Sequence, residues 1–232
     1  NYRGVTYWED GGDKRILFTA GDKLYALNAE TGKPISTFGH NGSVSMNVGI
    51  RDDPEKISII PTSPGIVYRD LLIIGNEVSE LYGAAPGYVR AYNIKTGKLE
   101  WTFHTIPKPG EVGYETWPKD AWKYVGGANC WAGLSVDEKR GMVFFGTGSP
   151  TYDFYGADRP GMNLFGNSVV ALDAGTGAYR WHFQTVHHDL WDYDLPAPPN
   201  LITVKKDGKN LDAVAQVSKV GFVYVLDRET GE

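Results

Sequence analysis

Along this chain apolar residues occupy every second position for short stretches, then give way to an Asn or Asp, a Thr-Gly pair and a second short stretch of the same kind. Four segments superpose without gaps: 23–38 (KLYALNAETGKPISTF), 88–103 (YVRAYNIKTGKLEWTF), 168–183 (SVVALDAGTGAYRWHF) and 222–232 (FVYVLDRETGE). A period of two is that of a half-buried β-strand. Asn28, Asn93, Asp173 and Asp227 can bond back to the turn backbone, and Gly32, Gly97, Gly177 and Gly231 accept the positive φ that closes it. Each unit therefore predicts two antiparallel strands joined by a hairpin, the last unit stopping in its turn. The four glycines are 65, 80 and 54 positions apart, so a common unit carries insertions of unequal length. Four positions past the glycine, Trp101 and Trp181 coincide, where an indole can dock on the next repeat. Ser36 stands there in the first copy, which predicts a weaker first junction.

Further strand-like runs cover 15–19, 57–60, 66–69, 71–75, 130–136, 142–146, 200–204 and 213–218, for a total of fifteen predicted strands. No window sustains a helical period, so the pattern predicts an all-β chain. At four strands per blade it amounts to about four consecutive blades of a β-propeller, in one domain over 1–232. Unequal repeats, and a sequence that stops at Thr230-Gly231-Glu232 inside a turn, favour half of a larger ring over a closed four-bladed one.

Composition narrows the class. With 41% hydrophobic and 22% charged residues the chain is an ordinary globular protein, and a net charge of −5 with scattered Lys and Arg argues against nucleic acid as a partner. The single cysteine, Cys130, permits no intrachain disulfide and says nothing of redox compartment. Apolar runs such as 71–74 fall far short of the roughly 20 residues that span a bilayer. The sequence opens at Asn1 with no charged-then-apolar leader, so any export signal is expected to have been removed or to lie outside it.

The candidate chemistry concentrates in 185–199, TVHHDLWDYDLPAPP, which places two histidines, three aspartates, a tryptophan and a tyrosine between His187 and Leu195. Its prolines forbid a helix, and it follows a predicted hairpin, so it reads as a loop presenting polar groups from a rigid sheet edge. Asp192 is either a turn aspartate or a proton acceptor. His182, His187, His188 and Asp189 are suitable zinc ligand types, but their spacing matches no helical HExxH arrangement, and consecutive histidines in an extended segment point to opposite faces. The Gly-rich GTGSP lacks the helix that a phosphate loop requires.

These repeats together with HHDLWDYDLP resemble the quinoprotein dehydrogenases, eight-bladed propeller enzymes that bind pyrroloquinoline quinone (PQQ) and a calcium or magnesium ion. The glucose dehydrogenase branch is nearer than the alcohol branch, and the chain would span about half of such an enzyme. The resemblance implies a role for each of several residues. Asp192 is the carboxylate that takes the substrate hydroxyl proton, and Lys219, in VSKVG, contacts the quinone oxygens, with apolar Val217, Val220 and Phe222 expected to draw it from the surface. Trp131, in NCWAG, stacks on the cofactor; Arg3 binds a cofactor carboxylate; Thr62 bonds the same carboxylates, and Ser79 lies in the neighbouring cofactor loop. Glu80 and Thr151 are implied metal ligands, Ser149 stands where the alcohol branch uses an asparagine ligand, and Asp192 can also touch the ion.

The resemblance further implies a periplasmic enzyme oxidising a sugar or alcohol hydroxyl, with a membrane quinone or cytochrome as electron acceptor. Remaining blades, or a second copy, would complete the ring. A non-catalytic propeller scaffold of the outer-membrane assembly type shares such repeats but has no use for Arg3, Glu80, Trp131, Asp192 and Lys219 together. An inactive fragment of the enzyme is the other alternative.

Overall fold

The computed structural model describes residues 4–51, 57 and 59–232. The first sheet comprises β1 (Thr6–Asp10), β2 (Asp13–Ala20), β3 (Lys23–Asn28) and β4 (Ser43–Ser45). Next come β5 (Ile59–Ile60), β6 (Ile66–Tyr68), β7 (Leu71–Ile74), β8 (Glu77–Val78), β9 (Val89–Asn93) and β10 (Leu99–Phe103). Of these β6, β7, β9 and β10 form the second sheet, while β5 and β8 pair separately. The third sheet holds β11 (Leu134–Asp137), β12 (Met142–Gly146), β13 (Ser168–Asp173) and β14 (Tyr179–Gln184). β15 (Asn200–Lys206), β16 (Lys209–Val217) and β17 (Val223–Asp227) make a fourth sheet of three strands.

All pairings are antiparallel, and within each of the four larger sheets the strands follow chain order. The first strands of successive sheets are neighbours: β6 lies against β1 and β11, and β11 against β15. This is the inner ring of a propeller. The segments entering β6, β11 and β15 therefore converge, and they carry Thr62, Trp131 and Asp192.

The core lies between sheets, which explains the sequence pattern. Leu72 and Ile74 of β7 pack with Leu17 and Leu24 of the first sheet, while Ile73 between them packs with Val143 and Phe145 of the third. Phe144 and Trp181 then pack with Val214 and Leu226 of the fourth. A strand in a middle sheet is thus buried on both faces, and β12 has no exposed position. No helix among the described residues is long and apolar enough to cross a membrane.

The repeat junctions follow the expected rule where tryptophan is present. Trp101 Nε1 donates to the Ala174 carbonyl at 3.3 Å and Trp181 Nε1 to the Arg228 carbonyl at 3.1 Å. The indoles cover Gly177 and Gly231, where a Cβ would come within 2.7 Å of the ring. At the first junction Ser36 is exposed, and Val44 together with the Gly39 backbone occupies the space over Gly97. Gly177→Ala is expected to cost about 1–3 kcal/mol by overpacking, lowering the urea midpoint. Gly208→Ala, with a similar φ of +75° and nothing within 4 Å, separates the backbone part of that effect.

Several expected boundaries are corrected. The second strand of the first repeat, expected within 33–38, does not form: Pro34 makes a single bridge to Leu27, and a proline has no N–H with which to continue a ladder. The chain turns through Phe38 N to the Ile35 carbonyl and resumes pairing only at β4. The strand expected at 130–136 starts at Leu134, after Gly133 at φ +116°. The strand expected at 57–60 is reduced to Ile59–Ile60. β1, β4 and β8 were not anticipated, nor were a 3-10 turn at Tyr114–Thr116 and α1 (Ala121–Tyr124), both too short to leave a helical period. The chain is otherwise the all-β stack of blades expected.

Candidate active site

Where the inner-strand loops meet, a cleft of about 260 Å³ opens. Of the residues expected from sequence, Ser79, Glu80, Trp131, Ser149, Thr151 and Lys219 line it. Asp192 stands beside it, its Oδ2 accepting from Lys219 Nζ at 2.7 Å although the two residues are 27 positions apart. Stretches at 77–80, 129–131, 149–153, 194 and 219 thus meet in one lining.

Residues 185–188 and 190–191 are bends and not strand, so His187 and His188 are not set on opposite faces of an extended segment as expected. The 187–195 loop is shaped by Asp189, which is 1% exposed. Its Oδ1 accepts from Trp191 N at 2.9 Å, and its Oδ2 from Tyr193 N at 2.7 Å, from Asn167 Nδ2 at 2.8 Å and from the Ser149 hydroxyl. Buried Arg159 clamps the same loop from outside, donating to the Asp189 carbonyl at 2.6 Å and to Asn163 Oδ1 at 2.8 Å. These bonds hold Asp192 at φ +56°, a left-handed conformation that aspartate tolerates.

Electrostatics divide the carboxylates. Asp153, on the cleft wall, is pushed up to about 7 by burial, with the charges of Glu80, Asp192 and Asp194 adding to the effect. Asp194 is raised to about 6 by burial, against the pull of the Ser149 amide and Lys219. Burial alone would lower Lys219, but its bonds to Asp192 and Asp194 outweigh that and raise it, so it remains an ammonium. Glu77, Glu80, Asp153 and Asp194 line the cleft, with Asp192 beside it, against the single ammonium of Lys219, so acidic groups outnumber the basic one and a cation would favour their ionised forms. Glu80, whose carboxylate has no hydrogen-bond partner among the described residues, and the Thr151 hydroxyl are hard oxygen donors of the kind calcium takes. Among the described residues no three His, Cys, Asp or Glu side chains are grouped to hold a metal unaided, so hydroxyl or carbonyl oxygens would complete such a shell. The residues present fit a hard divalent ion and, through Trp131 and Lys219, a flat anionic quinone.

Other expected residues are placed differently. Arg3 lies outside the described residues. Thr62 is buried and is not part of the lining; its hydroxyl donates to the Trp131 carbonyl at 2.8 Å, bracing that residue from behind. The Ser149 hydroxyl donates to Asp189 and its amide to Asp194 Oδ1 at 2.7 Å, so Ser149 joins the two loops. Val217 and Phe222 are exposed, and it is the carboxylates, not these side chains, that engage Lys219. The histidines are dispersed: His182 Nδ1 is 2.8 Å from the Tyr179 hydroxyl and His188 Nδ1 is 2.9 Å from the Gly161 carbonyl. Sequence reasoning did not place Asn129, Asp153 or Asp194 in the cleft. Only Asp194 carried a signal, two positions after Asp192 in LWDYD.

Comparison with known proteins agrees with this geometry. The family model described as "PQQ: Glucose/ethanol/alcohol dehydrogenase, beta-propeller domain" matches residues 1–232. Quinoprotein glucose dehydrogenase A of Acinetobacter calcoaceticus is 37% identical over 215 residues, 90% of this chain and 26% of that protein. Quinate/shikimate dehydrogenase (quinone) of Acinetobacter baylyi is 36% identical over 218 residues, 92% of this chain and 27% of that protein. The solved structure of quinohemoprotein alcohol dehydrogenase ADHIIG from Pseudomonas putida HK5 superposes with a TM-score of 0.83 at 32% identity, covering 100% of this chain and 33% of that one. The chain spans about a quarter to a third of the length of these relatives, less than the half expected from counting blades. It belongs to the glucose/ethanol/alcohol dehydrogenase β-propeller family of quinoproteins.

Proposed function

We propose that the protein acts as a PQQ-dependent dehydrogenase in the periplasm, oxidising a sugar or other alcohol hydroxyl with calcium or magnesium in the cleft and passing electrons to a membrane quinone or cytochrome. The observation that carries this is the convergence of Glu80, Trp131, Thr151 and Lys219 on one cleft, with Asp192 paired to Lys219 at its edge. A scaffold has no need of two buried carboxylates, Asp153 and Asp194, in the wall of such a cleft.

In this proposal PQQ, when bound, accepts the two electrons of the alcohol. Trp131 would offer its indole to the planar ring system. Lys219, kept protonated by its carboxylate neighbours, is the donor toward a quinone oxygen. Asp192 receives the hydroxyl proton as hydride leaves carbon, and in the free protein its Oδ2 lies 2.7 Å from the Lys219 ammonium. Glu80, Thr151 and Asp192 are the residues proposed to hold the ion, while Thr62 and Ser149 fix the walls, and Arg3 is retained for a cofactor carboxylate.

Turnover of the full-length protein, reconstituted with PQQ and calcium and supplied with a dye acceptor, should appear with members of a panel of glucose, quinate, glycerol and ethanol. Absence of turnover with every member, in protein that has bound quinone, would refute the dehydrogenase reading. Glu80→Gln should weaken calcium binding and quinone retention together with little change in thermal stability, because an ion and a quinone sharing one cleft are linked. An unchanged calcium titration would remove Glu80 from the site.

A further inference from the structure

The geometry points to Asp194 as the positioning residue of this cleft, holding the Trp131 indole and the Lys219 ammonium on one wall. The residue is 8% exposed, and its carboxylate gathers three separate chain segments. Oδ1 accepts from Ser149 N at 2.7 Å, and Oδ2 accepts both from Trp131 Nε1 at 3.0 Å and from Lys219 Nζ at 3.2 Å. Its own carbonyl accepts from Lys219 N at 3.1 Å, so the backbone carrying the lysine is tied to the same residue. Packing leaves little slack, since a Cβ at Gly148 would lie 2.7 Å from Asp194 Oδ1.

No other described residue does this. Thr62 restrains only the Trp131 backbone, and among the described residues the indole N–H has Asp194 as its partner. Asp189 spends its oxygens on the loop and on Ser149. Asp192 holds the ammonium but not the indole. A carboxylate is required because every partner is a donor. Asparagine is isosteric, yet with its oxygen on Ser149 N it would turn an N–H toward both the indole N–H and the ammonium. Asp194 acts through the two side chains that face the quinone, and this role rests on the function proposed above.

Asp194→Asn in the full-length protein is expected to weaken PQQ binding about 10- to 100-fold, the range for loss of a charge-assisted bond. In a Trp131→Phe background, which lacks the indole N–H, the same substitution should weaken binding by clearly less. Equal penalties in both backgrounds would overturn the assignment. So would a penalty that saturating calcium abolishes, since Asp194 would then act through the ion. A second readout needs no quinone: in indole N–H NMR spectra of tryptophan-labelled protein, the Trp131 resonance, identified by its loss in Trp131→Phe, should move in Asp194→Asn while the other indoles stay. An unmoved resonance would also overturn it. Should Asp194→Asn not fold, hydrogen exchange in the unsubstituted protein decides. The Trp131 N–H should exchange far more slowly than that of Trp191, which is 70% exposed, and equal rates would contradict the pinning. If the unsubstituted protein bound no quinone, the proposed function would fall while the indole spectra still tested Asp194.

Discussion

Asp192→Asn should lower turnover of the reconstituted full-length protein by about a hundredfold or more, the contribution of a positioned general base. Three aspartates share the loop, and their hydrogen bonds decide between them. Asp189 has both oxygens occupied by four donors, and Asp194 has both occupied by three. Among the described residues Asp192 is bonded only through Oδ2, to Lys219, which leaves its Oδ1 without a donor. Asparagine is the right probe because it tolerates the left-handed φ of +56° as well as aspartate does and keeps its size, so lost turnover reports the proton acceptor and not the loop. Quinone affinity should fall less than turnover. Near-normal turnover at saturating quinone and calcium would transfer the role to another group.

Away from the cleft, Asp137→Asn should destabilise the protein by about 3–5 kcal/mol, the cost of removing one partner from a buried ion pair. Asp137 and Arg228 are 7% and 9% exposed, and their 3.0 Å contact joins the third sheet to the turn after β17. Arg140 extends the network, bonding Asp137 at 2.9 Å, Asp212 at 2.8 Å and Glu229 at 3.0 Å. Burial alone would raise the Asp137 pKa, but the Arg140 amide and the two guanidiniums outweigh it and hold the carboxyl below its usual range. A depressed folded pKa contributes stability that is present in full above the unfolded value of roughly 3.9 and is lost as pH falls through the folded one. The difference in urea midpoint between the two proteins should therefore be constant near neutrality and shrink on acidification below about pH 4. A difference unchanged down to pH 2 would show that the lost interaction is not ionic.

How much of this was legible in the sequence depended on how local the cause was. The hairpins at 88–103 and 168–183 were plain because the side chains that close the turn, Asn93 and Asp173, sit within three residues of the amides they bond. The first repeat looks the same, but Pro34 replaces a ladder donor and Ser36 an indole, and pairing is displaced to β4. β1 escaped notice because only Trp8 of its five residues is buried; it is held by its register with β2 and not by an apolar stripe. In the cleft, Asp192, Trp131 and Lys219 were found through contiguous motifs shared with a family. Asp153 was not placed in the cleft because nothing local marks it, and Asp194 is marked only by its place in LWDYD. Asp194 matters through Ser149 and Trp131, 45 and 63 positions away. Asp153 matters through burial and three distant carboxylates.

The central claim is that this cleft holds a quinone and a hard cation together. Equilibrium titration of the full-length protein with PQQ, followed by absorbance with and without calcium, tests it most directly. The account predicts saturable binding that calcium strengthens and that Trp131→Ala removes while the fold persists. Quinone binding indifferent to both calcium and Trp131→Ala, or no binding at all, would contradict it.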